Sequence, residues 1–172
     1  MSAQKEFLLT VDNLASDCAD SLTHDSLYGA RVDGQLAGVA AWLPPEAYPI
    51  PYQRQLAQVL HLLPALPWGA SAAREALRGQ AANRQHHPRD QPHYYLRTLG
   101  VVPAHQRSGI GNALLRPVLD EADVRGLGCF LTTATEANVA YYATFGFAVL
   151  SSYTPTPAWP QVWAMWREPQ TR

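Results

Sequence analysis

Apolar and polar positions alternate along this chain in short blocks, and the period of each block predicts an element. Phe7, Leu8, Val11, Leu14, Ala15 and Cys18 recur at three- and four-residue steps, which predicts a helix over residues 3–20. Leu27–Val32 and Ala37–Leu43 are apolar runs flanking Asp33-Gly34-Gln35, which reads as a β-hairpin with a tight turn. Pro44-Pro45 ends the second strand, because proline cannot donate to a ladder. Residues 44–92 are the least regular. Pro44, Pro45, Pro49 and Pro51 make an extended segment, and Leu56, Val59, Leu60 and Leu63 share one face of a helix over Gln53–Leu63. A further helix is expected over Ala70–Ala82, with Ser71 in position to cap it, followed by a loop over residues 85–92.

The second half is more regular. Tyr94–Val102 is β-rich and stops at Pro103. Ile110–Arg125 carries Ala113, Leu114, Val118, Leu119 and Ala122 at helical spacing, with Pro117 inside it predicting a kink and Gly126 and Gly128 marking its end. Cys129–Thr133 reads as a buried strand and Asn138–Thr144 as a short helix stopped at Phe145-Gly146. Phe147–Tyr153 and Gln161–Trp166 read as two more strands, joined through Pro155, Pro157 and Pro160. The order β-α-β-α-β-β predicts an α/β fold: a mixed sheet covered by helices.

Composition narrows the function classes. The 172 residues hold no repeat, charge block or flexible linker, so one domain over residues 1–172 is expected. An apolar content of 47% excludes a disordered chain, and no apolar run approaches the ~20 residues of a membrane span. Lys5, Glu6 and Asp12 interrupt the opening residues, which lack the apolar stretch of a signal peptide, so a cytoplasmic location is expected. A net charge of −1 argues against nucleic acid as a partner. Cys18 and Cys129 make neither a disulfide framework nor a Cys-x-x-Cys site. His86, His87, Asp90 and His93 are broken by proline and read better as a solvated loop than as metal ligands, so no metal is expected.

Between the strand ending at Val102 and the helix from Ile110 lies Gln106-Arg107-Ser108-Gly109-Ile110-Gly111-Asn112. A strand, a glycine turn and a helix N-terminus form an anion site, because free N–H groups and the positive end of the helix dipole point outward. Gly109 and Gly111 admit phosphate oxygens close to the backbone, and Arg107 can add a charge-assisted bond. A Walker loop fails here for want of a lysine, and a dinucleotide fingerprint fails because position 114 is Leu. A plain strand-to-helix turn remains the alternative at this point.

The turn has company. The strand Leu96–Val102, Pro103 and then Gln106-x-x-Gly109-x-Gly111 resemble the acetyl-CoA motif of the GNAT N-acetyltransferase superfamily. Asn138-Val139-Ala140-Tyr141-Tyr142, followed by Phe145-Gly146-Phe147, resembles its second signature. The likeness covers residues 27–43 and 93–167. Trp42-Leu43-Pro44-Pro45, Ala122-Asp123 and Trp163–Arg167 look most like the puromycin-acetyltransferase-like branch.

The resemblance implies a single GNAT-like domain that moves an acetyl group from acetyl-CoA to a primary amine of a small molecule by direct attack. It implies that Val101 and Val102 pair with the pantetheine arm through their backbones. Gln106, Arg107, Ser108, Gly109, Ile110, Gly111 and Asn112 would hold the pyrophosphate. Asn138 would hydrogen-bond near the pantetheine, and Tyr142 would protonate the leaving thiolate. The chemistry is consistent with these roles. An amine of pKa ~10.4 costs roughly 4.6 kcal/mol to neutralise at pH 7, and a phenol is an adequate acid toward a thiolate. Two readings compete at Tyr142, a general acid or a core aromatic with Tyr141 as the more buried neighbour. A plain N-cap is the rival reading of Asn138, and the two roles can coexist.

Two departures from the pattern stand out. The superfamily usually begins with a strand and helix for which too few residues precede Leu27, so either the domain is shortened at its N-terminus, or the sequence boundary omits something, or a partner supplies the missing edge, and a homodimer is expected on that ground. The branch also tends to carry a glutamate where Thr132 stands, leaving Glu136 as the nearest carboxylate. Both departures keep a non-catalytic acyl-CoA-binding module open as the alternative function. Trp42, Tyr94, Trp159 and Trp163 read as core residues or as an aromatic acceptor pocket, and His105 as a phosphate contact or an exposed side chain.

Overall fold

The computed structural model describes residues 24, 26–47, 78–79 and 81–170. The helices expected over 3–20 and 53–63, the Ser71 cap and the shortened N-terminus lie outside the described residues. The chain divides into two compact units. One comprises Met1–Ala47, Pro92–Cys129 and Pro169–Arg172; the other comprises Tyr48–Gln91 and Phe130–Glu168.

The first unit starts with the hairpin. Strands β1 (Leu27–Val32) and β2 (Gln35–Leu43) pair antiparallel across Asp33-Gly34. Both turn residues have positive φ, 51° and 80°, the requirement of the type I′ turn whose twist matches the strands. β2 reads GVAAWL from Gly38 and is buried over nearly all of that run, so one face of the hairpin cannot be left to solvent. Strand β3 (His93–Val101) pairs antiparallel with β2, from Gly38 opposite Val101 to Leu43 opposite Tyr95.

Helix α1 (Ile110–Arg125) packs on all three strands and buries Leu114, Leu115, Val118, Leu119 and Ala122. Each such Leu or Val is worth about 1.5–3 kcal/mol when fully removed from water. Pro117 lies inside α1 and is exposed, and the helix runs through it over the expected residues. The end is where Gly126 predicts it. Gly126 takes φ 64°, and the Leu127 N–H reaches the Ala122 carbonyl at 2.9 Å, closing a Schellman motif.

Trp42 and Tyr94 are buried in this unit at 0% and 4% exposure, which places both in the core and removes them from any acceptor pocket. The Tyr94 hydroxyl donates to Glu121 at 2.6 Å and accepts from Arg125 at 2.6 Å, while Arg125 also holds Glu46 at 2.8 Å. Glu121 thus ties α1 to β3.

In the second unit the strands run in the order β4 (Gly128–Thr133), β6 (Val162–Arg167), β5 (Ala148–Tyr153), and β4 itself straddles the boundary after Cys129. β5 and β6 pair antiparallel, with a bulge that leaves Leu150 unpaired and 54% exposed. Helix α2 (Glu136–Ala143) starts two residues before its expected position, with Thr135 as its N-cap. Residues 81–86 are helical, so the expected helix runs on past Ala82 into the segment read as loop. Its continuation is explained by β5. His86 stacks on Tyr153 at 3.8 Å and bonds the Ser151 hydroxyl at 3.0 Å, while the Tyr153 hydroxyl donates to Asn83 at 2.7 Å. The mixed α/β class is the observed one. Among the described residues no helix is long and apolar enough to cross a membrane.

Candidate active site

The glycine turn belongs to the first unit, and α2 to the second. In the turn, β3 ends at Val101 and a 3-10 turn, Pro103–His105, leads to the start of α1. The Val102 N–H donates to the Ala37 carbonyl at 2.9 Å, and the Val102 carbonyl accepts from His105 N–H at 2.8 Å. Its N–H is thereby bonded to β2 and its carbonyl to the 3-10 turn. Successive residues of a strand point their backbone groups to opposite sides. Val102 faces β2, so the Val101 N–H and carbonyl point away from β2.

Gln106 is also turned inward. Its side-chain amide donates to the Val101 carbonyl at 3.2 Å and its N–H to the Pro103 carbonyl at 3.3 Å. The Ser108 hydroxyl donates to the His105 carbonyl at 2.5 Å. Gln106 and the Ser108 hydroxyl therefore shape the turn, and the surface it presents is made by the residues around them.

That surface has the properties of an anion cradle. Arg107 takes φ 61° and Gly109 φ 87°, two left-handed residues within three positions. A non-glycine residue there costs roughly 1–2 kcal/mol, so neighbouring bonds must hold Arg107 in place. No atom lies within 4 Å of where a Cβ on Gly109 would stand. Gly109 is the N-cap of α1, but no side chain caps the helix and no acidic residue stands in its first turn. The positive end of the macrodipole is left uncompensated beside Ile110, Gly111 and Asn112. The first bond inside the helix is the one from Ala113 N–H to the Gly109 carbonyl, at 3.0 Å.

In the second unit, Asn138 is the third residue of α2, which rules out the N-cap reading. Its side-chain Nδ2 donates to Thr133 Oγ1 at 3.2 Å, and Thr135 N–H approaches the same oxygen at 3.4 Å. Asn138 is exposed, while Thr133 is only 8% exposed. Sequence reasoning missed Thr133, since a threonine five residues before an asparagine carries no motif.

Tyr142 is the buried tyrosine of the pair, at 7% exposure, and Tyr141 is half-buried, the reverse of the expectation. The chain after α2 is the cause. Phe145 and Phe147 N–H groups both donate to the Tyr142 carbonyl, at 3.0 and 3.3 Å, folding Phe147 against the Tyr142 ring at 5.9 Å. Among the described residues nothing hydrogen-bonds the Tyr142 hydroxyl. Burial, and then the neighbouring Tyr141, hold its proton well above the usual phenol range.

Other candidates fall elsewhere. His87 packs edge-on against Phe130 at 4.5 Å and His93 is buried in β3. Among the described residues no group of three His, Cys, Asp or Glu side chains is gathered to hold a metal. A cavity of about 670 Å3 opens in the second unit against residues 85–91, Leu150, Trp166 and Glu168, and none of the expected site residues lines it. Trp159 and Trp163, exposed and half-buried, are the aromatics of the expected acceptor pocket that stay out of the core.

The chain is similar to known acetyltransferases in fold. The arylalkylamine N-acetyltransferase 2 of Aedes aegypti matches with a TM-score of 0.64 at 13% identity, over 95% of this chain and 80% of that one. A protein from Corynebacterium glutamicum described as histone acetyltransferase HPA2 and related acetyltransferase matches with a TM-score of 0.60 at 20% identity, over 94% and 76%. Arabidopsis thaliana Naa50, in complex with the bisubstrate analogue CoA-Ac-MVNAL, matches with a TM-score of 0.56 at 14% identity, over 98% and 95%. These likenesses establish a shared fold. The sequence model of the acetyltransferase (GNAT) family matches residues 4–147. The chain belongs to that family and is an acetyl-CoA-dependent acetyltransferase.

Proposed function

We propose that the acceptor is a primary amine of a small molecule, that the amine attacks the thioester directly, and that Tyr142 is the general acid. The observation that carries this reading is Tyr142 itself. Its ring is packed on Phe147, its hydroxyl has no bond to the described residues, and its proton is firmly held.

The residues of the turn fit a CoA diphosphate. The uncapped start of α1, the open space at Gly109 and the absence of an acidic residue nearby suit anionic oxygens. Arg107, Ser108, Gly109, Ile110, Gly111 and Asn112 would hold it, chiefly through their main chain. Val101, whose N–H points away from β2, would meet the pantetheine arm or polarise the acetyl carbonyl. Asn138 would take an amide of the same arm.

Acetyl-CoA supplies the activated acetyl group. The amine nitrogen forms the new C–N bond as the C–S bond breaks, and water or a base accepts the amine proton. The Tyr142 hydroxyl gives its proton to the departing sulfur, and the phenolate is then reprotonated from solvent. A phenol buried this deeply stays protonated through the neutral range. It yields its proton only to a sulfur that gathers charge beside it.

The puromycin-acetyltransferase-like branch, a cytoplasmic location and a homodimer complete the proposal. Thr132, where that branch carries a glutamate, supports a second reading as a non-catalytic acyl-CoA-binding module. Thiol release from acetyl-CoA across a panel of small amines tests the choice. Amine-dependent release supports the transferase with a small acceptor. Tight CoA binding with no release for any amine or peptide N-terminus would favour the module.

A further inference from the structure

Arg97 is a charged residue in the middle of β3, half-buried. The pairing with β2 sets Leu96 opposite Trp42 and then Thr98 opposite Ala41, so Arg97 is the extra residue of a β-bulge. Tyr94 bonds Glu121 and Arg125 and so faces α1. A Cβ on Gly38 would meet Ile110 and Leu114, so Gly38 and its partner Val101 face α1 as well. Tyr94 and Val101 are an odd number of positions apart, and regular alternation would put them on opposite faces. The bulge removes the conflict by turning two successive residues, Arg97 and Thr98, to the face away from α1. Tyr95, opposite Leu43, shares that face. The neighbours there, Leu27, Val39, Ala41 and Leu43, are apolar.

Helix α1 covers its own face of these strands, so a molecule that reacts beside β3 approaches from the other. Tyr95, Arg97 and Thr98 are half-buried on that face, which is therefore not sealed. Under the acetyl-CoA reading the diphosphate lies at the start of α1, beyond the C-terminal end of β3, and the arm passes Val101. Continued along the strand, the arm leads toward Arg97, roughly 13 Å from Val101 at ~3.3 Å per residue. We propose that Arg97 is a specificity-determining residue whose guanidinium binds a carboxylate on the acceptor, so that the acceptors are small amines that also carry a carboxylate. The proposal rests on the small-amine reading and names the class within it. A guanidinium presents five N–H donors in a planar fork. It can hold a carboxylate by two parallel bonds beside the contact that Arg97 makes within the protein. The same charge repels an acceptor that carries a second ammonium group.

The test is kcat/KM for amines matched in shape and differing in charge, with the distance from amine to carboxylate varied between sets. One set is 5-aminopentanoate, pentylamine and 1,5-diaminopentane. The second is 4-(aminomethyl)benzoate and 4-methylbenzylamine, and the third is phenylalanine and phenethylamine. Each ratio compares two amines on one protein sample, so a partly misfolded variant does not distort it. The wild type should favour the carboxylate member roughly 10- to 100-fold in at least one set and use the diamine worst. In Arg97→Gln that preference should shrink to within about 3-fold. Arg97→Lys, which keeps the charge without the fork, should fall between the two. A wild type indifferent to the carboxylate in every set that it acetylates would overturn the proposal. An Arg97→Gln protein that keeps the full preference would overturn it as well. A wild type that binds CoA but releases thiol with none of these amines would instead remove the small-amine reading, and the proposal with it.

Discussion

The turn at Gln106–Asn112 and the segment from Thr133 to Phe147 solve different problems with different parts of the chain. The turn is exposed, and its working surface is main chain: two left-handed residues, an uncapped helix start and open space at Gly109. Its side chains at Gln106 and Ser108 bond inward and hold the shape. The α2 segment is the reverse. There the backbone is ordinary helix and the proposed chemistry sits in two side chains, an amide bonded to Thr133 and a buried phenol. A site made of backbone should tolerate changes of side-chain chemistry and fail when conformation changes. A site made of side chains should fail when a single atom is removed.

The largest effect is therefore expected at one oxygen. Tyr142→Phe keeps the ring against Phe147 and deletes only the hydroxyl, so steady-state turnover should fall ~10²–10⁴-fold while CoA affinity stays near wild type. Because burial raises the Tyr142 pKa, the group stays protonated past the ordinary phenol value of 10.0. An alkaline limb centred near pH 10 in the kcat profile should then not come from Tyr142, and it should persist in Tyr142→Phe if present at all. Wild-type turnover in a folded Tyr142→Phe protein would leave the residue as core packing alone.

The next effect belongs to conformation. Gly109 takes φ 87°, a region closed to a β-branched residue, so Gly109→Val should weaken CoA binding roughly 10- to 100-fold. Arg107→Gly, which relaxes the φ 61° strain but removes a charge, should cost far less. If both variants lose affinity equally, the cradle depends on the arginine and not on backbone shape.

A smaller effect links the turn to its scaffold. A Cβ on Gly38 would stand 3.0 Å from the Gly100 carbonyl and 3.0 Å from the Ile110 side chain at the start of α1. Gly38→Ala should lower stability by about 1–3 kcal/mol in denaturant melts, with CoA affinity falling because α1 is pushed from β2. The smallest effect is electrostatic. Burial, and then its bond to Glu121, push the Tyr94 pKa from 10.0 up to about 12. The folded state holds this proton more tightly than the unfolded chain. Its contribution to stability is complete below pH 10 and is lost as pH rises through about 12. Tyr94→Phe should flatten that part of the alkaline stability curve.

The same contrast explains what could be read in advance. The hairpin, α1 and the glycine turn follow from local rules: an Asp-Gly pair, a 3.6-residue period, and Gly109 and Gly126 where φ must be positive. Those rules act within a few residues, so one sequence reveals them. The bonds from Val102 to the Ala37 carbonyl and from Gln106 to the Val101 carbonyl were not legible, because both depend on how β2, β3 and the turn meet. The order of burial at Tyr141 and Tyr142 was set by the chain folding back at Phe145–Phe147, and the bond between Asn138 and Thr133 by the meeting of β4 with α2. In each case the deciding contact lies outside the element that carries the residue.

The central claim is that backbone conformation at the turn, and not the Tyr142 hydroxyl, governs cofactor affinity. Titration of CoA into wild type, Gly109→Val and Tyr142→Phe, each confirmed folded by thermal melt, tests it most directly. The account predicts equal affinity for wild type and Tyr142→Phe and a loss of roughly 10-fold or more for Gly109→Val. A folded Gly109→Val protein that binds CoA as tightly as wild type would contradict it.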